Sequence, residues 1–227
     1  MDVDRISRRG ALSKLGGLAA VAFGASMWKS DAEGAGPEAV AAGLVTCVLT
    51  PEQTEGPYYV PGEKVRRNIT EGRPGTALTL RLKVVNASNC KPIKNAVVDV
   101  WHADALGVYS GVQGSPGTTF MRGIQRTDAN GLAIFKTVYP GWYMGRTVHI
   151  HVKVHIAGNV VHTGQLYFSD SVTDRVYAKA PYSSRPARGT RNTADSIYRN
   201  GGGKSVISLR RSGAGYVGAL TMGVHRS

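Results

Sequence analysis

Cysteine is nearly absent from this chain. Its 227 residues contain two, Cys47 and Cys90, which excludes a Cys-rich zinc site. Acids are scarce, 15 Asp and Glu against 28 Lys and Arg, for a net charge of +13. Between Gly131 and Ser169 there is no acid at all, so a 2-His-1-carboxylate metal site cannot be completed from that stretch. Long apolar runs are missing as well. The run Leu15 to Trp28 has 14 residues, short of the roughly 18 that a spanning helix needs, and a polytopic membrane protein is excluded. No long helical periodicity and no internal repeat appear.

What is present is globular. Hydrophobic residues make up 42% and charged residues 19%, an ordinary balance for one domain with a sizeable core. Gly 29 and Pro 10 suit many turns. Residues 1–30 read as a targeting segment rather than as fold. Ser7-Arg8-Arg9 supplies paired arginines, a mild apolar region runs from Leu15 to Met27, and small residues follow from Ser30 to Gly43. This resembles a twin-arginine signal, with Ala11 and Ser13 departing from its usual residues; an ordinary secretory signal is the alternative. Residues 31–46 read as a linker and 47–227 as the folded domain. The expected location is outside the cytoplasm, extracellular or periplasmic. There Cys47 and Cys90 are expected to form a disulfide. Closing about 43 residues stabilises a fold by roughly 4 kcal/mol in the chain-entropy picture.

Residues 175–227 hold ten Lys and Arg and one acid, Asp195. A basic tail can mean nucleic acid, but export argues against it, and no basic helix, zinc finger or aromatic-interleaved RNA motif occurs. A solvated basic flank is the expectation.

From residue 47 the chain reads as short strands divided by turns, an all-β antiparallel β-sandwich with short helices and long loops. Ala77 to Val85 alternates, with Leu78, Leu80, Leu82 and Val84 on one side. Further strands are expected over 96–102, 132–138, 147–156, 160–168, 205–210 and 216–222. Short helices are expected around 172–177 and 193–198. In Thr147 to Ile156 the alternation places Thr147, His149, His151, Lys153 and His155 on one face and Val148, Ile150, Val152, Val154 and Ile156 on the core face. His149 and His151 are then about 6.5–7 Å apart between Cα atoms. Two such imidazoles can converge on one metal or stand as a satisfied pair. The neighbourhood is rich in tyrosine (Tyr109, Tyr139, Tyr143, Tyr167), and a bound cation favours the ionised phenol.

Five segments carry a resemblance. They are 49–59 (LTPEQTEGPYY), 90–93 (CKPI), 99–110 (DVWHADALGVYS), 122–128 (RGIQRTD) and 139–151 (YPGWYMGRTVHIH). Their order and spacing resemble the intradiol ring-cleavage dioxygenases, nearest the protocatechuate-dioxygenase-like branch, over roughly 47–224. The resemblance implies non-haem Fe(III), with Tyr109, Tyr143, His149 and His151 as ligands and Tyr143 as the one that leaves and takes up a substrate proton. It implies that Arg146 and Gln165 stabilise charge on the activated substrate and that Pro57, Tyr58 and Trp101 border its pocket. Small aromatic diol and O2 are the implied partners, with a muconate-type diacid as product. Tyr139 is expected to pack in the core and His102 to be structural.

Two rival readings remain at this point. The Pro92-Ile93, Thr127–Gly131 and Pro140–Tyr143 turns also resemble transthyretin-like binding modules, which do not need His149, His151 and Arg146 together. A copper or zinc enzyme would use His149, His151 and a further histidine.

Overall fold

The computed structural model describes residues 49–112 and 115–225. Among these residues, eight strands form two four-stranded sheets. They are β1 (Ala77–Asn86), β2 (Val97–Trp101), β3 (Arg122–Arg126), β4 (Leu132–Val138), β5 (His149–Ile156), β6 (Asn159–Tyr167), β7 (Ser208–Ser212) and β8 (Gly215–Val224). One sheet has the order β4-β1-β8-β7 and the other β3-β2-β5-β6. All neighbours are antiparallel except β1 and β8. Two helices follow β6: α1 (Asp170–Tyr177) and the single turn α2 (Ser196–Arg199). Among the described residues no helix is long and apolar enough to cross a membrane.

The core lies between the sheets. Leu78, Leu80, Leu82 and Val84 of β1 are each at most 1% exposed and meet Val98, Val100, Ile150, Val152 and Val154, all at 0%. This is the alternation expected for β1 and β5. Burial of one such side chain is worth about 1.5–3 kcal/mol. β5 differs from an ordinary surface strand, because six of its eight residues are buried on both faces. Its second face is covered by residues 49–65 and by the loops that follow β2 and β4.

The register of the second sheet arranges that covered face in rows. Arg122, Trp101, His151 and Gln165 pair in sequence across β3, β2, β5 and β6. One row along, Ile124, Asp99, Lys153 and Thr163 pair in the same way. At the other end His149 pairs with Tyr167. The β5–β6 pairing shifts register between Val154 and His155, but β2 keeps step: His155 pairs with Val97, one row beyond Lys153 on the same face, and lies half-buried near Lys94 and Arg126.

Part of the basic segment corrects the expectation of a solvated flank. Arg188 donates to Asp170 and Asp174, and Arg191 to Asp174. Arg185 lies 4.2 Å over the Trp142 ring and donates to its carbonyl. These cations tie the segment back onto α1 and the β4–β5 loop. The expected Cys47–Cys90 bridge and the targeting segment involve positions outside the described residues.

Candidate metal centre

Two loops carry the tyrosines, and they interlock. After β2, Asp104 Oδ1 accepts the Leu106 and Val108 amides at 2.9 Å and closes a tight turn that presents Tyr109. Gly107 at its tip has φ +80°, and a Cβ there would lie 2.2 Å from the Trp142 carbonyl oxygen. A Cβ on Gly141 would lie 2.4 Å from the Ala105 carbonyl oxygen. Only glycine permits both approaches. The contact brings the Tyr109 and Tyr143 rings to 5.5 Å, edge to face.

The histidines arrive from β5. His149 Nδ1 donates to the Thr147 carbonyl at 2.7 Å. A carbonyl only accepts, so Nε2 keeps its lone pair. That Nε2 lies 3.1 Å from Tyr143 Oη and 3.1 Å from His151 Nε2. One lone pair cannot satisfy both neighbours. Tyr109 Oη is also buried, faces Tyr143, and lacks a well-aligned hydrogen bond. Burial pushes His149 down to about 3, with Arg146 adding to it, and His151 well below the usual imidazole range. Both imidazoles are therefore neutral. Burial raises both phenols, so either loses its proton readily only beside a cation. Two neutral imidazoles and two phenols converging on one point form a hard, oxygen-rich donor set that fits a ferric ion.

Among the described residues no three His, Cys, Asp or Glu cluster as a metal site. This removes the third histidine that the copper or zinc reading requires. His102 is instead bound by the Ala103 carbonyl and Thr137, both at 2.8 Å. Tyr139 is fully buried, packs on Phe168 at 4.4 Å and bonds Thr173.

Beside the donors, Arg146 Nη2 donates to Gln165 Oε1 at 2.5 Å and its Nε to Asp195 Oδ2 at 2.8 Å. Gln165 Nε2 donates to the Thr54 carbonyl at 3.0 Å, anchoring the covering segment. Asp195 is 1% exposed. It also accepts the Thr147 amide through Oδ2 and caps α2 through Oδ1, taking the Ile197 and Tyr198 amides. The amides and the guanidinium hold its carboxyl below the usual range against the pull of burial. Sequence reading saw Asp195 only as the lone acid of a basic tail. The signal available was an Asp before a short helix, a capping position, but nothing local linked it to Arg146, 49 residues away.

Arg122 is a second residue the motifs did not place. It is 1% exposed, donates through Nε and Nη2 to the Ser110 carbonyl, and has Glu63 at 3.7 Å. It thereby grips the residue next to Tyr109.

Of the residues expected to border the pocket, Tyr58 lies half-buried against Tyr109, 4.5 Å between ring centroids, with its edge toward Tyr143 at 5.9 Å. Pro57 is exposed in the turn beside it. Trp101 differs from expectation. It is 0% exposed, stacked on His151 at 4.9 Å with the Tyr59 ring tilted against it at 4.8 Å, and supports His151 instead of lining a pocket.

A family model described as dioxygenase matches residues 54–190. An intradiol ring-cleavage dioxygenase from Tetranychus urticae superposes with a TM-score of 0.74 at 37% identity, covering 79% of this chain and 95% of that one. The dioxygenase domain of a dioxygenase–carbohydrate-binding protein fusion from Streptomyces sp. SirexAA-E gives a TM-score of 0.62 at 32% identity, covering 79% of this chain and 99% of that one. Catechol 1,2-dioxygenase 2 of Acinetobacter lwoffii is 40% identical over 98 residues, 41% of this chain, which spans 35% of that relative's length. The family model's match spans Tyr109, Tyr143, His149 and His151 and sets aside the binding-module reading: the chain belongs to the intradiol ring-cleavage dioxygenases.

Proposed function

We propose that this protein is a non-haem Fe(III) dioxygenase that opens small ortho-dihydroxy aromatic rings between their hydroxyl-bearing carbons. O2 supplies both oxygen atoms, and the product is a muconate-type diacid. The observation that carries this reading is the meeting of Tyr109, Tyr143, His149 and His151 beside the Arg146–Gln165 pair.

Ferric iron bound by these four side chains would withdraw electron density from a chelated diol and prime its ring for O2. The remaining work belongs to the chain. Tyr109 is 5% exposed and fixed through its Ser110 neighbour, so it is the tyrosine that stays. Tyr143 is half-buried on the interlocked loop, so it is the one free to swing away, and its phenolate accepts a proton from an incoming hydroxyl. Arg146 is held from two sides and presents a fixed positive charge where the ring becomes electron-rich. The likeness to catechol 1,2-dioxygenase 2 of Acinetobacter lwoffii supports the same class. Export follows from residues 1–30 as read above, and with it the Cys47–Cys90 bridge.

Oxygen uptake by the ferric-loaded protein with catechol, protocatechuate and hydroxyquinol tests the reading. The expected result is one O2 consumed per ring and a muconate-type diacid from catechol. No uptake with any diol overturns it.

A further inference from the structure

A second cavity lies on the same sheet face, beyond the row that holds Asp99. Its volume is about 690 Å³, within the range of small-molecule sites. Tyr59, Ile124 and Ile156 contribute its apolar walls, and Asp99 lies at its floor. Asp99 is 1% exposed, and its Oδ1 is buried with no hydrogen-bond partner. A buried oxygen in that state is costly unless a donor reaches it. The exposed cations at the rim, Lys94 and Arg126, form no ion pair among the described residues. Other cations on this face are engaged, Lys153 with Glu55 and Arg122 with Glu63.

From these groups we infer that the cavity is a binding site for a hydroxy-aromatic carboxylate, separate from the metal centre. The ligand's hydroxyl donates to Asp99 Oδ1, its ring lies against Ile124 and Ile156, and its carboxylate meets Lys94 and Arg126. Arg126 pairs with Val97, two residues along β2 from Asp99, so the cation and the acid lie on one face of the sheet. A ring with its hydroxyl and carboxylate at opposite ends reaches from one toward the other. The cavity holds none of the four converging donors, so its occupant is bound and not cleaved. Its wall Tyr59 packs tilted against Trp101, and Trp101 stacks on His151.

The test is calorimetric titration of the ferric-loaded protein with 4-hydroxybenzoate, which lacks the second hydroxyl of a diol. Charge-assisted contacts of this kind are worth about tenfold or more in affinity. The K94E/R126E double variant, altered only at exposed positions, is expected to bind at least about tenfold more weakly. On the unaltered protein, 4-hydroxybenzyl alcohol (no carboxylate) and benzoate (no hydroxyl) are each expected to bind more weakly than 4-hydroxybenzoate. Binding that is unchanged in the double variant, or equal for all three compounds, overturns the assignment. Loss of binding in Tyr109→Phe with none in K94E/R126E places the compound at the metal centre and overturns it too. The test does not depend on ring-cleaving activity, so its failure is distinguishable from failure of the function proposed above.

Discussion

The indole of Trp101 lies parallel to the His151 imidazole, 4.9 Å between centroids and 7° between planes. The stack exists because β2 and β5 pair these two residues directly. One donor of the cluster is thus held by a ring that touches nothing in solvent. Trp101→Leu is expected to lower stability by about 2–4 kcal/mol through the void it leaves. It should also weaken ferric binding, because His151 gains rotational freedom. Thermal melts and a competitive chelator titration would show both. Unchanged iron affinity would mean that the stack does not position His151.

Asp195→Asn separates two roles of one side chain. Asparagine is as good an N-cap as aspartate, so α2 should persist. The charge facing Arg146 is lost, and the guanidinium is held on one side only. About tenfold or more loss in kcat is expected, with a smaller change in KM. Asp195→Ala should add a stability loss of about 3 kcal/mol or more, since it leaves a largely buried Arg unpaired. Equal kcat in the native protein and Asp195→Asn would remove Asp195 from the positioning network.

Arg122→Lys keeps a positive charge near Glu63, but an ammonium cannot grip the Ser110 carbonyl from two nitrogens as the guanidinium does. The protein should fold with a lower melting point and show a weakened or shifted tyrosinate-to-iron band, because Tyr109 is no longer fixed. An unaltered band would show that Ser110 needs no such anchor.

Much of this was legible in the residues, and the exceptions have physical causes. β1 and β5 alternate cleanly because one face of each packs on the core. β3 escaped notice because Arg122-Gly123-Ile124-Gln125-Arg126 offers one large apolar side chain in five. It is a strand through pairing with β2 and Arg122's buried bonds, which no local pattern encodes. His155 keeps the face that counting assigns it, paired with Val97 two residues beyond Lys153, and lies too far along β5 to join His149 and His151. The motifs single out Tyr109, Tyr143, His149 and His151, which the fold brings together, whereas Asp195 required the fold to bring residues 146 and 195 together.

The pH dependence of stability carries a signature of Asp99. Burial raises its carboxyl from 3.8 to about 7, with Glu63 adding to the rise and Tyr59, Lys153 and Arg122 opposing it. Below about pH 4 the group is protonated in both the folded and unfolded chains. Between about 4 and 7 the folded chain keeps a proton that the unfolded chain has released, so the stability contributed by Asp99 falls as pH rises. Denaturant melts should show this decline in the native protein and its absence in Asp99→Asn. A decline of equal slope in both would assign it to another group.

The central claim is that two phenols and two imidazoles hold one ferric ion. Its most direct test is the visible absorption of the ferric-loaded protein, with resonance Raman excitation into the band. A burgundy protein with tyrosinate vibrations is expected, with the band lost or strongly shifted in Tyr109→Phe. Ferric iron bound tightly without a mid-visible band, or a band indifferent to Tyr109→Phe, would contradict it.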